Sequence, residues 1–177
     1  KKIYLLTDQN SEFQYLAEYN IENGKLEIIY KPDWDVKYAF LSPDKNYRVL
    51  AINNDSKRTI KIFDLNKNEF LELPELEDLI IWGARFSRDD RRVIFYAETG
   101  RSPVDVYLFD LENKRQDRLT WNLNSRINEK DLVKGQLVRF KSFDNIEIPG
   151  ILYKPQNASN STKVPALIWV HGGPGGQ

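Results

Sequence analysis

The 177 residues contain no cysteine, no methionine and a single histidine, His171. Without Cys there are no disulfides and no thiolate metal ligands, and one imidazole is too few for a histidine-based metal centre. Neither a metal nor a cofactor is therefore expected. An excess of charge of one sign is also lacking. Lys+Arg and Asp+Glu are both 26, the net charge is zero and the pI is about 6.8, so the basic surplus of a nucleic-acid binder is missing. No stretch approaches the roughly 18 apolar residues of a membrane span. The apolar start, Ile3-Tyr4-Leu5-Leu6, meets Asp8 too early for a signal peptide. Nucleic acid and membrane are thus not expected as partners, and the compartment stays open between cytoplasm and periplasm. With Lys where an initiating Met would stand, the sequence is expected to be a piece truncated at both ends.

What is present is a repeat. Apolar residues alternate with a period of two, and amphipathic helical spacing is nearly absent. Residues 39–73 and 84–119 align: Ser42 and Ser87 lie 45 apart, and Phe63-Asp64-Leu65 and Phe109-Asp110-Leu111 lie 46 apart. A weaker copy ends in Tyr19-Asn20-Ile21, 44 before Phe63-Asp64-Leu65. The spacing predicts four short strands per copy; in the second copy these are 36–41, 47–52, 59–63 and 69–73. Ser42-Pro43-Asp44-Lys45 suits a type I turn, with Pro setting φ at its second position. Four strands repeating every 40–50 residues or so are the signature of β-propeller blades. Three copies, the first incomplete, are too few to close a ring of about 4–8 blades. The Asp of Phe-Asp-Leu is expected to cap backbone donors rather than to do chemistry. The acidic stretch Glu69, Glu72, Glu75, Glu77 and Asp78 reads as a solvated face, and Trp34, Trp82 and Trp121 read as packing residues.

After Leu119 the rhythm ends, and residues 120–135 are polar. Two alternating strands, 137–143 and 146–153, then flank Asp144-Asn145 as a hairpin. The loop 156–163 carries two formal glycosylation sequons, at Asn157 and Asn160. The run Ala166-Leu167-Ile168-Trp169-Val170 predicts a strand buried on both faces, inside a helix-covered sheet. The organisation expected is blades over 1–123, a linker over 124–134, and the start of an α/β domain over 135–177.

The closing His171-Gly172-Gly173-Pro174-Gly175-Gly176 has several readings. A phosphate loop would continue in Lys-Ser/Thr where Gln177 stands, and the dinucleotide fingerprint is not completed. An ordinary glycine turn remains open. So does an oxyanion loop, in which small residues let backbone N–H groups reach a reacting carbonyl oxygen.

Taken together, the blades with their S-P-D turn, the hairpin ending in Ile-Leu-Tyr-Lys-Pro, and Trp169-Val170-His171-Gly172-Gly173-Pro174-Gly175-Gly176-Gln177 resemble the prolyl oligopeptidase family, on its acylaminoacyl-peptidase and dipeptidyl-peptidase-like side. The resemblance implies a mainly β chain: a partial propeller of about two and a half to three blades, followed by the first strands of an α/β-hydrolase domain. It implies a parent serine peptidase that cleaves short peptides through a Ser-Asp-His acyl-enzyme. In it Gly173 would be a backbone oxyanion donor, Gly172 would permit the turn, and the His171 side chain would line the site without acting as the triad base. The nucleophile is absent, since no Gly-x-Ser-x-Gly occurs, and these residues alone are expected to be inactive. The rest of the polypeptide, or a second chain, is expected against 166–170. A non-enzymatic propeller module and an esterase of the same fold are the alternatives.

Overall fold

The computed structural model describes residues 1–55, 57–73, 79–170 and 172. Its strands are β1 (Lys2–Thr7), β2 (Tyr15–Asn20), β3 (Lys25–Tyr30), β4 (Val36–Leu41), β5 (Tyr47–Asn54), β6 (Lys57–Asp64), β7 (Glu69–Phe70), β8 (Ile80–Phe86), β9 (Arg92–Thr99), β10 (Ser102–Asp110), β11 (Arg115–Arg118), β12 (Gln136–Lys141) and β13 (Glu147–Leu152). They form a three-stranded sheet, β1-β2-β3, two four-stranded sheets, β4-β5-β6-β7 and β8-β9-β10-β11, and the pair β12-β13, all as antiparallel neighbours in chain order. The chain is a partial β-propeller. The first copy also gains β1, from the segment that reads in sequence only as an apolar start. In the fourth strand of the next copy, β7 stops at Phe70 rather than reaching residue 73, although the Leu71 amide still donates to the Ile62 carbonyl.

The repeat is kept by its turns. In all three copies the amide after the strand-end polar residue donates back across the sheet: Ile21 to the Lys1 carbonyl, Leu65 to Asn46 and Leu111 to Arg91. Asn20, Asp64 and Asp110 each accept backbone N–H groups of the turn that follows, such as Glu22, Asn66 and Glu112 respectively. The turn then closes through a left-handed residue: Gly24, Asn68 or Lys114. Asp110 is held below the usual carboxylate range chiefly by the Asn113 amide. The expected capping role is therefore what these residues perform. The other shared turn closes through Lys45 (φ 59°) and Asp90 (φ 54°), with Ser42 Oγ accepting from the Tyr47 amide and Ser87 Oγ from Arg92.

Strict alternation gives each sheet two usable faces. Val49, Ala51, Ile60 and Ile62 of the second sheet meet Ile81, Ala84, Val93, Phe95, Ala97, Tyr107 and Phe109 of the third in the main core. Leu50 and Val36, on the opposite face of the second sheet, meet Leu16 of the first. The sheets therefore pack face to face, as blades do. Stacking of Tyr47 on Phe86, at 5.4 Å and 18°, ties the two larger sheets together.

A polar fastening joins the same two sheets. Asp90 is buried, and its Oδ2 accepts from Ser42 Oγ at 2.5 Å and from the amide and side chain of Asn46 at 3.3 and 3.2 Å. A second buried carboxylate, Asp105 on β10, fixes the chain leaving β11. It accepts from Arg118 at 2.5 Å, Thr120 Oγ1 at 2.8 Å and the Asn122 amide at 3.0 Å. Burial by itself would push its pKa up, but these donors and the Arg118 charge outweigh that and hold it down.

Candidate functional site

The segment expected to form the site begins with β12 and β13. Their turn is wider than Asp144-Asn145 alone: the Asn145 amide donates to the Ser142 carbonyl, Asn145 is left-handed (φ 66°), and the Ser142 amide donates to Ile146. This is the three-residue hairpin loop, whose last position must be left-handed. The strands are accordingly shorter than expected, ending at Lys141 and beginning at Glu147. Phe140, Ile148 and Ile151 on the pair, and Phe143 and Tyr153 beside it, are exposed, Phe143 completely so at 100%.

Three features hold the hairpin and the segments that flank it. Arg139 on β12 is ion-paired with Asp55, at the left-handed tip between β5 and β6, and with Glu147 at 3.3 Å. Gln156 Nε2 donates to the Lys130 carbonyl at 2.5 Å. Gly100 and Gly135 pass back to back: a Cβ on Gly100 would meet the Gly135 nitrogen at 3.0 Å, and one on Gly135 would meet Ile151 Cγ2 at 2.8 Å. The small residues are thus required where the polar stretch crosses the β9–β10 turn. Beneath the crossing lies a cleft lined by Asp55, Lys57, Ile80, Leu137, Ile151 and Tyr153, among others.

The expected strand at 166–170 is corrected by the structure. These residues are in no strand, and Leu167, Ile168, Trp169 and Val170 are 85–89% exposed. The physical reason is that a buried strand needs two hydrogen-bonding neighbours and covered faces. Among the described residues no strand pairs with this run, and none forms an α-helix to cover it.

Of the three site residues expected from the sequence, Gly172 is described. A Cβ there would meet nothing within 4 Å. His171 and Gly173 lie outside the described residues, as do Glu75, Glu77 and Asp78 of the acidic stretch, whose Glu69 and Glu72 are exposed. The tryptophans divide: Trp34 packs on Phe13 at 5.7 Å, and Trp82 lies 5.0 Å from the Arg58 guanidinium. Trp121 is 70% exposed, with Arg118 at 5.8 Å, and is not a core residue. Among the described residues no group of three His, Cys, Asp or Glu is placed to hold a metal ion, and no helix is long and apolar enough to cross a membrane. The polar joints at Asp90, Asp105 and Arg139–Asp55 leave almost no local mark in the sequence. The bulge-prone Ser102-Pro103 start of β10 is the one local sign of an irregularity near Asp105.

No family model and no curated protein matches the chain. Solved structures do. The chain is similar to a structure from an analysis of two prolyl endopeptidases (TM-score 0.67, 13% identity, 89% of this chain and 24% of that one). It is similar to a puromycin-hydrolyzing peptidase of Mycobacterium tuberculosis (0.69, 12%, 93% and 26%). It is also similar to dipeptidyl peptidase 4 of Porphyromonas gingivalis (0.67, 16%, 89% and 23%). The chain shares the fold of a segment of these peptidases. It spans about a quarter of their length, and at this identity the likeness is one of fold.

Proposed function

We propose that the chain belongs to a serine peptidase of the prolyl oligopeptidase family, with 1–123 as propeller blades, 124–134 as a linker and 135–177 as the first part of the hydrolase domain. The observation that carries this reading is the order of parts: stacked four-stranded sheets, a hairpin, then an apolar run leading into His171-Gly172-Gly173-Pro174-Gly175-Gly176. The fold likeness to peptidases supports it. A propeller interaction module accounts for the stacked sheets but leaves the apolar run and its glycines without a role.

In this reading, short peptides are hydrolysed through a serine acyl-enzyme. The amide of Gly173 donates to the oxyanion as the carbonyl becomes tetrahedral, and Gly172 keeps side chains out of the approach. His171 lines the site and takes no proton, because in this fold the base follows the nucleophile in the chain. The 177 residues hold no Gly-x-Ser-x-Gly, so nucleophile, acid and base come from further chain, which would also cover 166–170.

The test is the reading frame and its product. A frame running on into Gly-x-Ser-x-Gly, then Asp, then His is expected, and a serine-reactive phosphonate should label that protein but not residues 1–177. A stop codon directly after Gln177 overturns the reading. A labelled protein that cleaves esters but no peptide would make it an esterase of the same fold.

A further inference from the structure

A buried hydrogen-bond donor without a partner is costly, so each one asks what satisfies it. Two such donors sit on the face of the second sheet that is turned to the third. Tyr38 Oη on β4 and Arg58 Nε on β6 are both buried and have no partner. They occupy adjoining rows: Tyr38 lies opposite Ala51, Ala51 opposite Ile60, and Arg58 is two residues before Ile60 on the same side. A third donor comes from β8. The Arg85 guanidinium lies 5.9 Å from the Phe40 ring, which itself stacks with Tyr38 at 6.1 Å. Trp82, also on β8, closes over Arg58 at 5.0 Å.

Among the described residues no hydrogen bond brings an acceptor to Tyr38 Oη or Arg58 Nε. Neither arginine forms an ion pair among the described residues, and the hydrogen bond Arg85 makes is from Nη1 to the Ala84 carbonyl. Asp55, near Arg58 in sequence, is paired with Arg139 through Oδ2, and its Oδ1 reaches no donor. Both guanidinium charges are felt at the Tyr38 hydroxyl, where they act against the upward push of burial on its pKa.

We propose that a small monovalent anion of halide size binds between the second and third sheets, accepting from Tyr38 Oη and Arg58 Nε, with Arg85 supplying a second positive charge. A water there would accept from the same donors but would still have two protons to place, in a region that carries two guanidinium charges. An anion has no proton to place, and it offsets the charge. The closure of both donor atoms to solvent favours a single ion over a carboxylate carried by a larger molecule. The proposal does not depend on the peptidase reading, because it is tested by binding alone.

The test uses the 177-residue protein, with chloride replacing gluconate at constant ionic strength. The unfolding temperature should rise along a saturable curve, by roughly 3 °C for each tenfold of chloride above its Kd. Tyr38→Phe, which keeps the ring stack, and Arg58→Lys should each flatten this dependence while the protein still melts cooperatively. Crystals grown in bromide should show an anomalous peak within hydrogen-bond distance of both atoms. Equal melting in the two salts, a chloride response retained by both variants, or water alone at that position overturns the proposal.

Discussion

The blades and the segment after residue 135 are built from similar strands, yet one set is buried and the other is not. Val93, Phe95 and Ala97 on β9 are fully buried because β8 and β10 flank them and a second sheet covers them. Phe140, Phe143 and Ile146 have no such cover, and the four apolar residues from Leu167 to Val170 are almost wholly exposed. Alternating apolar residues make a strand possible; a covering layer makes it stable. The blades carry their own layers, whereas the hairpin and the apolar run present theirs outward.

Substitutions should separate the two regions. The largest effect is expected in the shared core: Phe95→Ala should cost about 3–5 kcal/mol, whereas Phe143→Ala should stay within about 0.5 kcal/mol. Urea unfolding of the two variants checks this, and equal losses would erase the distinction. Next comes the joint between blades. Asp90→Ala leaves Ser42 and Asn46 without their acceptor and should cost about 1–3 kcal/mol, read in the same way.

Acid should then act through Asp105. Its folded-state pKa is lowered, so its stabilisation is complete above the unfolded value, about 3.9, and is lost as pH falls through the folded value. Asp105→Asn should flatten the acid limb of stability against pH, and an unchanged limb would argue against the joint. The smallest effect belongs to the hairpin's tie to the blades. Arg139 is partly exposed, and Arg139→Ala should cost under about 1 kcal/mol. Its signature should be faster hydrogen exchange in β12 and β13 with little change in β9.

Much of the blade region is legible from residue order, because what shapes it is local. Alternation marks the strands, Ser42-Pro43-Asp44-Lys45 marks a turn, and the Asp of Phe-Asp-Leu bonds to amides two and three residues away. What escapes a reading of the sequence depends on distance. Asp90 acts on Ser42, and Arg139 on Asp55, across long stretches of chain, and neither pairing leaves a local pattern. The run at 166–170 fails for the same reason in reverse: its composition suits a strand, but its partners are not local. Of the candidate site, Gly172 alone falls among the described residues, with open space where its side chain would be.

Asp90 also gives the repeat a direction. Lys45 holds the same left-handed turn position one blade earlier but is exposed, while Asp90 reaches back to the blade before it. Ser87 stands where Ser42 does, but its hydroxyl donates to Asp89 Oδ1 of its own turn at 2.6 Å. An artificial array made by repeating residues 39–73 would therefore carry no such fastener, because Lys45 stands where the carboxylate would have to be. The two blades are alike in outline but are not interchangeable building units.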